Sequence, residues 1–391
     1  MKMQKLKRNI IKNFVVNGNY TIAELSQKTD FSVPTVTKVV NELLEENIVF
    51  DFGKIDTTGG RRPNVFGINP KSGFYLGVEV NRQSVTMALQ DLKNEFVKIK
   101  EGMPFVLMNT DESLDQLCQL INKFLASSGI DKKNIINACI NLTGRINSRE
   151  GFSYNYFFFE ENSLSSIIES KIGIKIFLEN DSRAMAFGEY CCGIVEKERN
   201  VIFVNVSWGV GIGVVTDGKL YYGKSGYSGE FGHSPLFDNN ILCQCGKKGC
   251  LETEVSGWAL ERDFKESLDL GMTSLIAEKY APEEIRLEHI LNAIVQDEDV
   301  LAIDMISKLG EKMGRYLSIL INIFNPELVV IGGFLSVAGD YLMLPIRSAV
   351  KKYSLNLVSH DMELKISKLG TRAGVIGACY IGRERFLDMP D

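Results

Sequence analysis

The chain has 391 residues, of which 45% are hydrophobic and 24% charged, and it carries a formal net charge of −5. This length exceeds one ordinary hydrophobic core, so the sequence predicts several lobes. The basic N-terminus lacks the apolar run of a signal peptide, and no unbroken apolar stretch is long enough to cross a bilayer. These features favour a cytoplasmic protein without a membrane partner.

Charge is unevenly distributed along the chain. Residues 1–70 contain ten Lys/Arg and seven Asp/Glu, a net charge of +3, whereas residues 71–391 carry −8. DNA phosphates attract positive charge, so the sequence predicts that nucleic-acid binding belongs to the N-terminal segment.

The N-terminal segment contains the patterns of three helices. Leu6, Ile10 and Phe14 recur every four residues, which is typical of the apolar face of an amphipathic helix. Residues 21–24, Thr-Ile-Ala-Glu, form a capping box that opens a second short helix. Ser32 is predicted to cap a third helix, which continues through a stripe of valines and leucines.

A short apolar strand, Ile48-Val49-Phe50, and the following Gly53-Lys54 resemble the wing of a winged helix-turn-helix. We therefore predict a DNA-binding domain over residues 1–70, with its third helix in the major groove. The side chains predicted to contact DNA are Ser32, Thr35, Thr37, Lys38 and Asn41 on the third helix and Lys54 on the wing. A polar helix face also suits plain solvated surface, so the helix-turn-helix context carries this interpretation.

Residues 57–63, Thr-Thr-Gly-Gly-Arg-Arg-Pro, indicate a linker after the wing. Arg61 and Arg62 suit insertion into a narrow minor groove. The alternative is a flexible hinge between domains, and the two roles are compatible.

The rest of the chain mixes strand and helix patterns, as expected of an α/β fold. The predicted elements are a hairpin of residues 74–80 and 85–89, a helix at 114–125, strands at 201–206 and 211–215 that continue through 220–222, and a helix at 302–324. Gly310 and Gly314 lie about one turn apart in that last helix, which allows close packing against another helix. The cysteines predicted to be ordinary buried thiols are Cys118, Cys139, Cys191, Cys192 and Cys379.

An Asn-Asp pair stands where an apolar run gives way to a helical stretch. Asn180 and Asp181 follow the apolar residues 172–178 and precede the helical pattern of residues 182–190. An amide and a carboxylate at such a junction can bind one hydroxyl and take a proton from another. Taken alone, the pair is more often a helix cap.

Four potential metal ligands lie in a turn-rich segment. They are His233, Cys243, Cys245 and Cys250. Three Cys and one His form the usual closed set of a structural zinc site, which leaves no position for a metal-bound water. The alternatives are a redox pair or ordinary buried thiols. Folding around zinc would also bring Glu230 and Glu252 close to the His233 imidazole, where they could bind sugar hydroxyls.

These motifs together resemble the signature series of the ROK family of sugar-responsive repressors and sugar kinases. They are Glu179-Asn180-Asp181, Gly209-Val-Gly-Ile-Gly213, Gly229-Glu-Phe-Gly-His233 and Cys243-Gln-Cys-Gly-Lys-Lys-Gly-Cys-Leu-Glu252. The N-terminal segment extends the resemblance to the xylose and N-acetylglucosamine repressor branch. The resemblance implies a winged helix-turn-helix followed by a two-lobed actin-like, ribonuclease-H-like ATPase fold.

The resemblance also implies domain boundaries and residue roles. The first lobe would comprise residues 71–184 and 372–391, with residues 373–386 folding back onto it, and the second lobe residues 185–371. A sugar in the cleft between the lobes would be contacted by Asn180, Asp181, Glu230, His233 and Glu252. Zinc would be held by His233, Cys243, Cys245 and Cys250. In kinase members, the residue matching Asp181 is the general base.

The nucleotide half departs from the kinase pattern. Family kinases carry Asp-x-Gly-Gly-Thr in the first strand-turn, whereas this chain has Glu79-Val-Asn-Arg-Gln83. Their Gly-Thr-Gly loop is matched by Ser207-Trp208-Gly209, which adds a bulky indole. Because phosphate binding needs close backbone approach, we predict that the chain is not an enzyme.

We therefore interpret the chain as a sugar-responsive transcriptional repressor. It is expected to bind operator DNA as a homodimer or homotetramer and to be released by a sugar or sugar-phosphate effector, although the effector could instead strengthen DNA binding. One alternative is an active ATP-dependent sugar kinase with an appended DNA-binding domain. Another is a sugar-binding partner protein whose helix-turn-helix contacts proteins.

Overall fold

The computed structural model describes residues 2–54, 63–158 and 161–388. The chain divides into two compact units. The first unit comprises Met1–Ile140, Phe159–Phe177 and Cys379–Asp391, and the second comprises Asn141–Phe158 and Leu178–Ala378. The lobe boundaries expected from the family resemblance remain a prediction.

The first unit begins with a winged helix-turn-helix, as predicted. Its helices are α1 (Lys2–Asn17), α2 (Ile22–Thr29) and α3 (Val33–Glu45), and its strands are β1 (Tyr20–Thr21), β2 (Val49–Lys54) and β3 (Asn64–Ile68). The strand order is β1-β3-β2, with antiparallel pairing throughout. The apolar faces of α1 and α3 meet in one buried cluster, which also includes Tyr75 and Leu92 from beyond the winged helix.

The helix caps follow the sequence only in part. The predicted capping box is present, because Thr21 Oγ1 accepts from the Glu24 amide at 3.3 Å and Glu24 accepts from the Thr21 amide at 2.7 Å. Ser32 does stand at the N-cap of α3, but its side chain makes no capping bond. Its hydroxyl pairs with that of Thr35 at 2.8 Å instead, so the predicted side-chain cap is wrong.

The first unit also carries a five-stranded sheet, of which the predicted hairpin is part. Its strands are β4 (Phe74–Val80), β5 (Ser84–Asp91), β6 (Phe96–Pro104), β7 (Ile135–Leu142) and β10 (Ile176–Asn180), in the order β10-β7-β4-β5-β6. The chain enters the second unit through the last residues of β7 and β10. Helices α4 (Asp111–Ala126) and α5 (Leu164–Ile172) belong to the first unit.

A second five-stranded sheet forms the centre of the second unit. Its strands are β11 (Val201–Val206), β12 (Val210–Thr216), β13 (Lys219–Leu220), β14 (Leu328–Gly332) and β15 (Glu363–Ile366), in the order β13-β12-β11-β14-β15. β14 runs parallel to both of its neighbours. The predicted extension of β13 through Tyr222 is wrong, because the Tyr222 carbonyl accepts from the Ser228 amide and closes a loop instead.

Helices cover this sheet. They are α6 (Asp181–Cys192), α7 (Glu252–Val255), α8 (Gly257–Asp269), α9 (Leu275–Lys279), α10 (Leu287–Asn292), α11 (Val300–Phe324), α12 (Asp340–Tyr353) and α13 (Asn356–His360). The last helix, α14 (Ala373–Asp388), belongs to the first unit from Cys379 onward, where the Phe386 ring lies 6.1 Å from the Tyr75 ring. The short strands β8 (Ile146–Asn147) and β9 (Phe152–Ser153) pair separately. As predicted, Gly314 allows close packing: a Cβ there would lie 2.5 Å from the Ile346 carbonyl of α12. Within the described ranges, no helix has the length and apolar character needed to cross a bilayer.

Candidate functional site

The predicted Asn-Asp pair lies where β10 ends and α6 begins. Asn180 is the N-cap of α6, and its Oδ1 accepts from the Arg183 amide at 3.1 Å. Its Nδ2 donates to the Gly144 carbonyl at 3.1 Å. The side chain therefore caps the helix, as the alternative reading of the sequence held, and it also fixes the loop after β7.

Asp181 is held at the first turn of α6. Its Oδ1 accepts from the Ser182 amide at 2.7 Å. Burial raises the pKa of Asp181 to about 6, hydrogen bonds from Ser182 and Thr143 oppose the shift, and the negative charge of Glu230 adds to it. A carboxylate with this pKa can accept a hydrogen bond, or a proton, from a hydroxyl near neutral pH.

A buried arginine, Arg183, stabilises the junction between β10 and α6. Arg183 is only 1% exposed, and its Nε lies 2.7 Å from Glu179 Oε1. Its remaining nitrogens donate to the carbonyls of Gly226, Ser228 and Ile146 and to Ser148 Oγ. The sequence analysis missed this residue. The available signal was a charged side chain among the apolar and small residues of α6.

The four predicted metal ligands come together in the second unit. The ligand atoms of His233, Cys243, Cys245 and Cys250 all lie within 4.8 Å of one another. His233 Nδ1 is 3.4 Å from Cys243 Sγ, and Cys245 Sγ is 3.6 Å from Cys250 Sγ. We call these four residues the metal cluster. Its donor set fits a metal ion that prefers sulfur and imidazole nitrogen.

Local turns make this convergence possible. His233 ends a short 3₁₀ turn, Phe231–His233, and the bridge between Pro235 and Cys250 closes the loop. Gly249 has a φ of +70°, and a Cβ there would lie 2.0 Å from the Phe237 carbonyl oxygen. Only glycine fits at this position, so the turn depends on it.

Two carboxylates flank His233. Glu230 Oε2 lies 3.6 Å from His233 Nε2, and Glu252 Oε1 lies 3.7 Å from His233 Nδ1. Glu252 Oε2 also accepts from the Val210 amide at 3.2 Å. Burial raises the pKa of Glu230, and the nearby His233 ring and the positive charges of Arg145 and Arg183 oppose the shift.

The five residues predicted to contact a sugar therefore lie in one unit of the structure. We call them the polar cluster: Asn180, Asp181, Glu230, His233 and Glu252. Electrostatic coupling joins its two halves, because Glu230 is close enough to raise the pKa of Asp181. Three carboxylates, an amide and an imidazole can donate to and accept from several neighbouring hydroxyls.

The predicted DNA-contacting residues divide into three groups. Lys38 and Asn41 are exposed on α3, Ser32 is exposed at its N-cap, and Lys54 is exposed at the end of β2. Thr35 and Thr37 are only partly exposed, and the Thr37 hydroxyl donates to the Val33 carbonyl at 2.8 Å within the helix. Arg61 and Arg62 lie outside the described residues.

Comparison with known proteins places this architecture in a family. The sequence profile described as "ROK family" matches residues 75–385, and the profile described as "Winged helix-turn-helix DNA-binding" matches residues 3–49. The chain belongs to the ROK family. The predicted fold, a winged helix-turn-helix followed by the actin-like ROK fold, is thereby confirmed.

Relatives of this ROK chain include regulators and enzymes. It is 28% identical to the xylose repressor of Bacillus subtilis (strain 168), over 97% of this chain and 95% of the repressor. A solved ROK transcriptional regulator, a homologue of the E. coli MLC protein, is 26% identical with a TM-score of 0.78, covering 99% of this chain and 97% of the regulator. The ROK glucokinase of Streptomyces griseus, solved with glucose and AMPPNP, is 26% identical with a TM-score of 0.70, covering 80% of this chain and all of the kinase (100%).

The two segments predicted to match the nucleotide loops of ROK kinases make hydrogen bonds within the protein. The Asn81 amide donates to the Ser84 carbonyl at 2.9 Å in the turn between β4 and β5. The Ser207 hydroxyl donates to Asn205 Oδ1 at 2.7 Å and accepts from the Phe334 amide at 3.0 Å. Trp208 packs partly buried against the core of the second unit.

The remaining cysteines depart from the prediction at one place. Cys118, Cys139 and Cys379 are buried, as expected. Cys191 and Cys192 are exposed, so the prediction that they are buried is wrong. They occupy the last turn of α6, beyond the buried residues that pack the rest of the helix.

Proposed function

We propose that the chain is a sugar-responsive transcriptional repressor, which binds operator DNA and releases it when a sugar or sugar derivative occupies the polar cluster. The observation that carries this proposal is the presence of both parts on one chain. The N-terminal helix-turn-helix has an exposed polar face, and the second unit contains the polar cluster, whose five side chains can hydrogen-bond with sugar hydroxyls. Similarity over 97% of the chain to a protein named xylose repressor supports it.

In the polar cluster, each side chain has a distinct part in sugar binding. Asp181 and Glu230 accept hydrogen bonds from neighbouring hydroxyls, because both are partly buried and lie near each other. The Nε2 edge of His233 faces Glu230 rather than the thiols, so it is available to a ligand. Glu252 accepts a backbone amide with one oxygen and faces His233 with the other.

We infer that the metal cluster binds a structural zinc ion. His233 Nδ1 and the three cysteine sulfurs would hold it, and a closed set of this kind supplies rigidity rather than hydrolytic chemistry. By fixing the loop from Glu230 to Glu252, the ion would act on sugar binding indirectly. Purified protein should contain about one zinc per chain by mass spectrometry, and Cys245→Ser should lose it.

DNA binding is assigned to α3 and the wing. Lys38 and Asn41 extend from α3, and Lys54 extends from β2, so all three can reach a duplex. Binding as a homodimer or homotetramer would place two winged helices on two half-sites. Sugar binding would change operator affinity by linkage, and a coupling of about 1–3 kcal/mol corresponds to roughly 5- to 150-fold.

We propose that the chain has no kinase activity. Asn81, Arg82 and Gln83 replace the glycines and threonine of the kinase strand-turn, and Ser207 hydrogen-bonds within the protein. The second candidate function is an ATP-dependent sugar kinase, favoured by Asp181, whose pKa of about 6 suits a general base. A coupled assay with magnesium-ATP and a panel of hexoses distinguishes the two.

The decisive experiment is fluorescence anisotropy of the protein on its own upstream DNA. The complex is titrated with neutral and phosphorylated sugars at fixed salt, because salt alone changes the affinity. Release by one class of sugar is expected. Tight DNA binding that no sugar changes, or sugar turnover in the kinase assay, would contradict the proposed function.

A further inference from the structure

Four aromatic rings, three of them exposed, form a group in the second unit. We call Phe152, Tyr154, Phe158 and Tyr227 the aromatic platform. The Tyr154 ring centroid lies 5.4 Å from that of Phe158 and 5.9 Å from that of Tyr227, and the Phe152 centroid lies 6.4 Å from Tyr154. Three of these rings are on the segment from β9 to Phe158, and Tyr227 is on the loop that leads to Glu230.

The exposure of these rings is unusual for aromatic side chains. Tyr154 is 41% exposed, Phe158 43% and Tyr227 39%. Large aromatic residues are normally buried, and an exposed group of them marks a binding surface more often than scattered single ones do. The platform is therefore a candidate ligand surface.

The backbone beside the platform adopts a rare conformation. Phe157 has a φ of +55° and is 1% exposed, whereas the next residue, Phe158, is 43% exposed. A positive φ is uncommon for a bulky residue and is stabilised only where the surroundings impose it. The chain thus buries one ring and presents its neighbour outward.

The platform is continuous with the polar cluster through one of its two segments. Asn155, next to Tyr154, accepts from the Arg145 amide at 2.9 Å and from Arg145 Nε at 3.2 Å. Gly144, adjacent to Arg145, accepts from Asn180 Nδ2.

The other segment connects to the same site independently. The carbonyls of Gly226 and Ser228, on either side of Tyr227, accept from Arg183, the residue that supports the start of α6. The Tyr227 ring also meets the Tyr154 ring edge-on, at an interplanar angle of 72°. Both parts of the platform are therefore tied to residues that hydrogen-bond with Asn180.

The local chemistry indicates what the platform binds. The negative face of an aromatic ring attracts the weakly positive C–H bonds of a sugar ring, and the tyrosine hydroxyls add polar contacts at the edge. Glu150 contributes negative charge at Tyr227 and the polar cluster contains three carboxylates, whereas the exposed Arg145 and Arg149 supply two positive charges on the neighbouring segment. This surplus of negative charge disfavours a phosphorylated or acidic group.

We propose that the effector is a neutral saccharide of at least two rings, with one ring in the polar cluster and the next stacked on the aromatic platform. This inference rests on the proposed function, because it requires the polar cluster to bind the first ring. The platform supplies none of the amide or carboxylate groups of that cluster. It therefore acts as an extension subsite, which selects for the length of the saccharide.

The test is isothermal titration calorimetry on the full-length protein with matched sugars. The pairs are xylose with xylobiose and glucose with cellobiose. The disaccharide of one pair should bind about tenfold more tightly than its monosaccharide. Tyr154→Ala should reduce disaccharide affinity about 5- to 10-fold and leave monosaccharide affinity unchanged.

Two further variants serve as a second platform substitution and as a control. Phe158→Ala removes a second platform ring and should have the same selective effect if Tyr154→Ala fails to fold. Tyr341→Ala is the matched control, because Tyr341 is 38% exposed but lies on α12, outside the platform. It should change neither affinity.

The outcomes separate this inference from the proposed function. If a monosaccharide releases operator DNA but the disaccharides bind no more tightly, the extension subsite is wrong and the repressor stands. Equal losses for both sugars in Tyr154→Ala would also overturn the subsite. If no saccharide of either length binds, the proposed function itself fails.

Discussion

The winged helix and the polar cluster present their functional side chains in opposite ways. On α3, Lys38 and Asn41 extend into solvent and depend on few protein contacts. In the polar cluster, Asp181 and Glu230 are partly buried, and their pKa values depend on neighbouring charges and hydrogen bonds. Exposed charges contribute small and separable increments to the free energy of unfolding, whereas a buried or partly buried charge also changes the energies of its neighbours.

The same contrast appears in two ion pairs. Lys7 and Glu46 join α1 to the end of α3 at the surface, with side chains 25% and 47% exposed. Arg183 and Glu179 are 2% and 0% exposed. The first pair is screened by water and salt, whereas the second must be complete because neither charge can be hydrated.

The largest expected effect follows from breaking the buried pair. Arg183→Met should lower the free energy of unfolding by about 3–5 kcal/mol, because Glu179 keeps its burial but loses its partner. Lys7→Met is the matched control and should cost less than about 1 kcal/mol. Urea unfolding measures both. Similar losses for the two variants would contradict the comparison.

A smaller effect is expected when the polar cluster loses one acceptor. Asp181→Ala should weaken sugar binding about 10- to 100-fold, since a hydrogen bond to a charged group is lost. Operator affinity without sugar should not change. Calorimetry and anisotropy measure the two quantities, with Asp217→Ala, an exposed aspartate of the same unit, as control. A parallel loss of DNA binding would mean that the variant disturbs the whole fold.

The winged helix should respond more modestly to a single change. Lys38→Ala should reduce operator affinity about 5- to 10-fold and lower the slope of log affinity against log salt by about 1, because one phosphate contact is removed. Sugar affinity should stay the same. Lys123→Ala, at an exposed position on α4, is the control. An unchanged salt slope would remove Lys38 from the DNA interface.

The smallest expected effect concerns pH. The carboxyl of Asp181 ionises near its ordinary pKa of 3.8 when unfolded but at about 6 when folded. Between these values the folded chain retains a proton that the unfolded chain releases, so this group lowers stability as pH rises from about 4 to 6. Asp181→Asn should therefore gain about 1 kcal/mol over the unmodified chain at pH 7, a value reduced for partial solvent exposure.

The pH prediction is checked by unfolding both proteins at pH 4 and pH 7. The advantage of Asp181→Asn should be present at pH 7 and nearly absent at pH 4. Taking the difference between two proteins cancels the titration of all other groups. An advantage of the same size at both pH values would show that packing, rather than ionisation, causes it.

Features that depend on a few neighbouring residues could be predicted from the sequence. Leu6, Ile10 and Phe14 predicted α1, and Thr21 with Glu24 predicted the cap of α2. The spacing of Cys243, Cys245 and Cys250 predicted convergence with His233. Such features depend on helix periodicity, cap chemistry and short turns, so the neighbouring residues contain the necessary information.

Features that depend on residues far apart in the sequence could not be predicted from it. The burial of Arg183 requires carbonyls from residues 146, 226 and 228, and Tyr154 meets Tyr227 only because two loops converge. The Ser32 hydroxyl turned to Thr35, and the exposure of Cys191 depends on where α6 leaves the core. Burial is a property of the assembled fold, since the groups that satisfy or cover a side chain are brought together only by tertiary contacts.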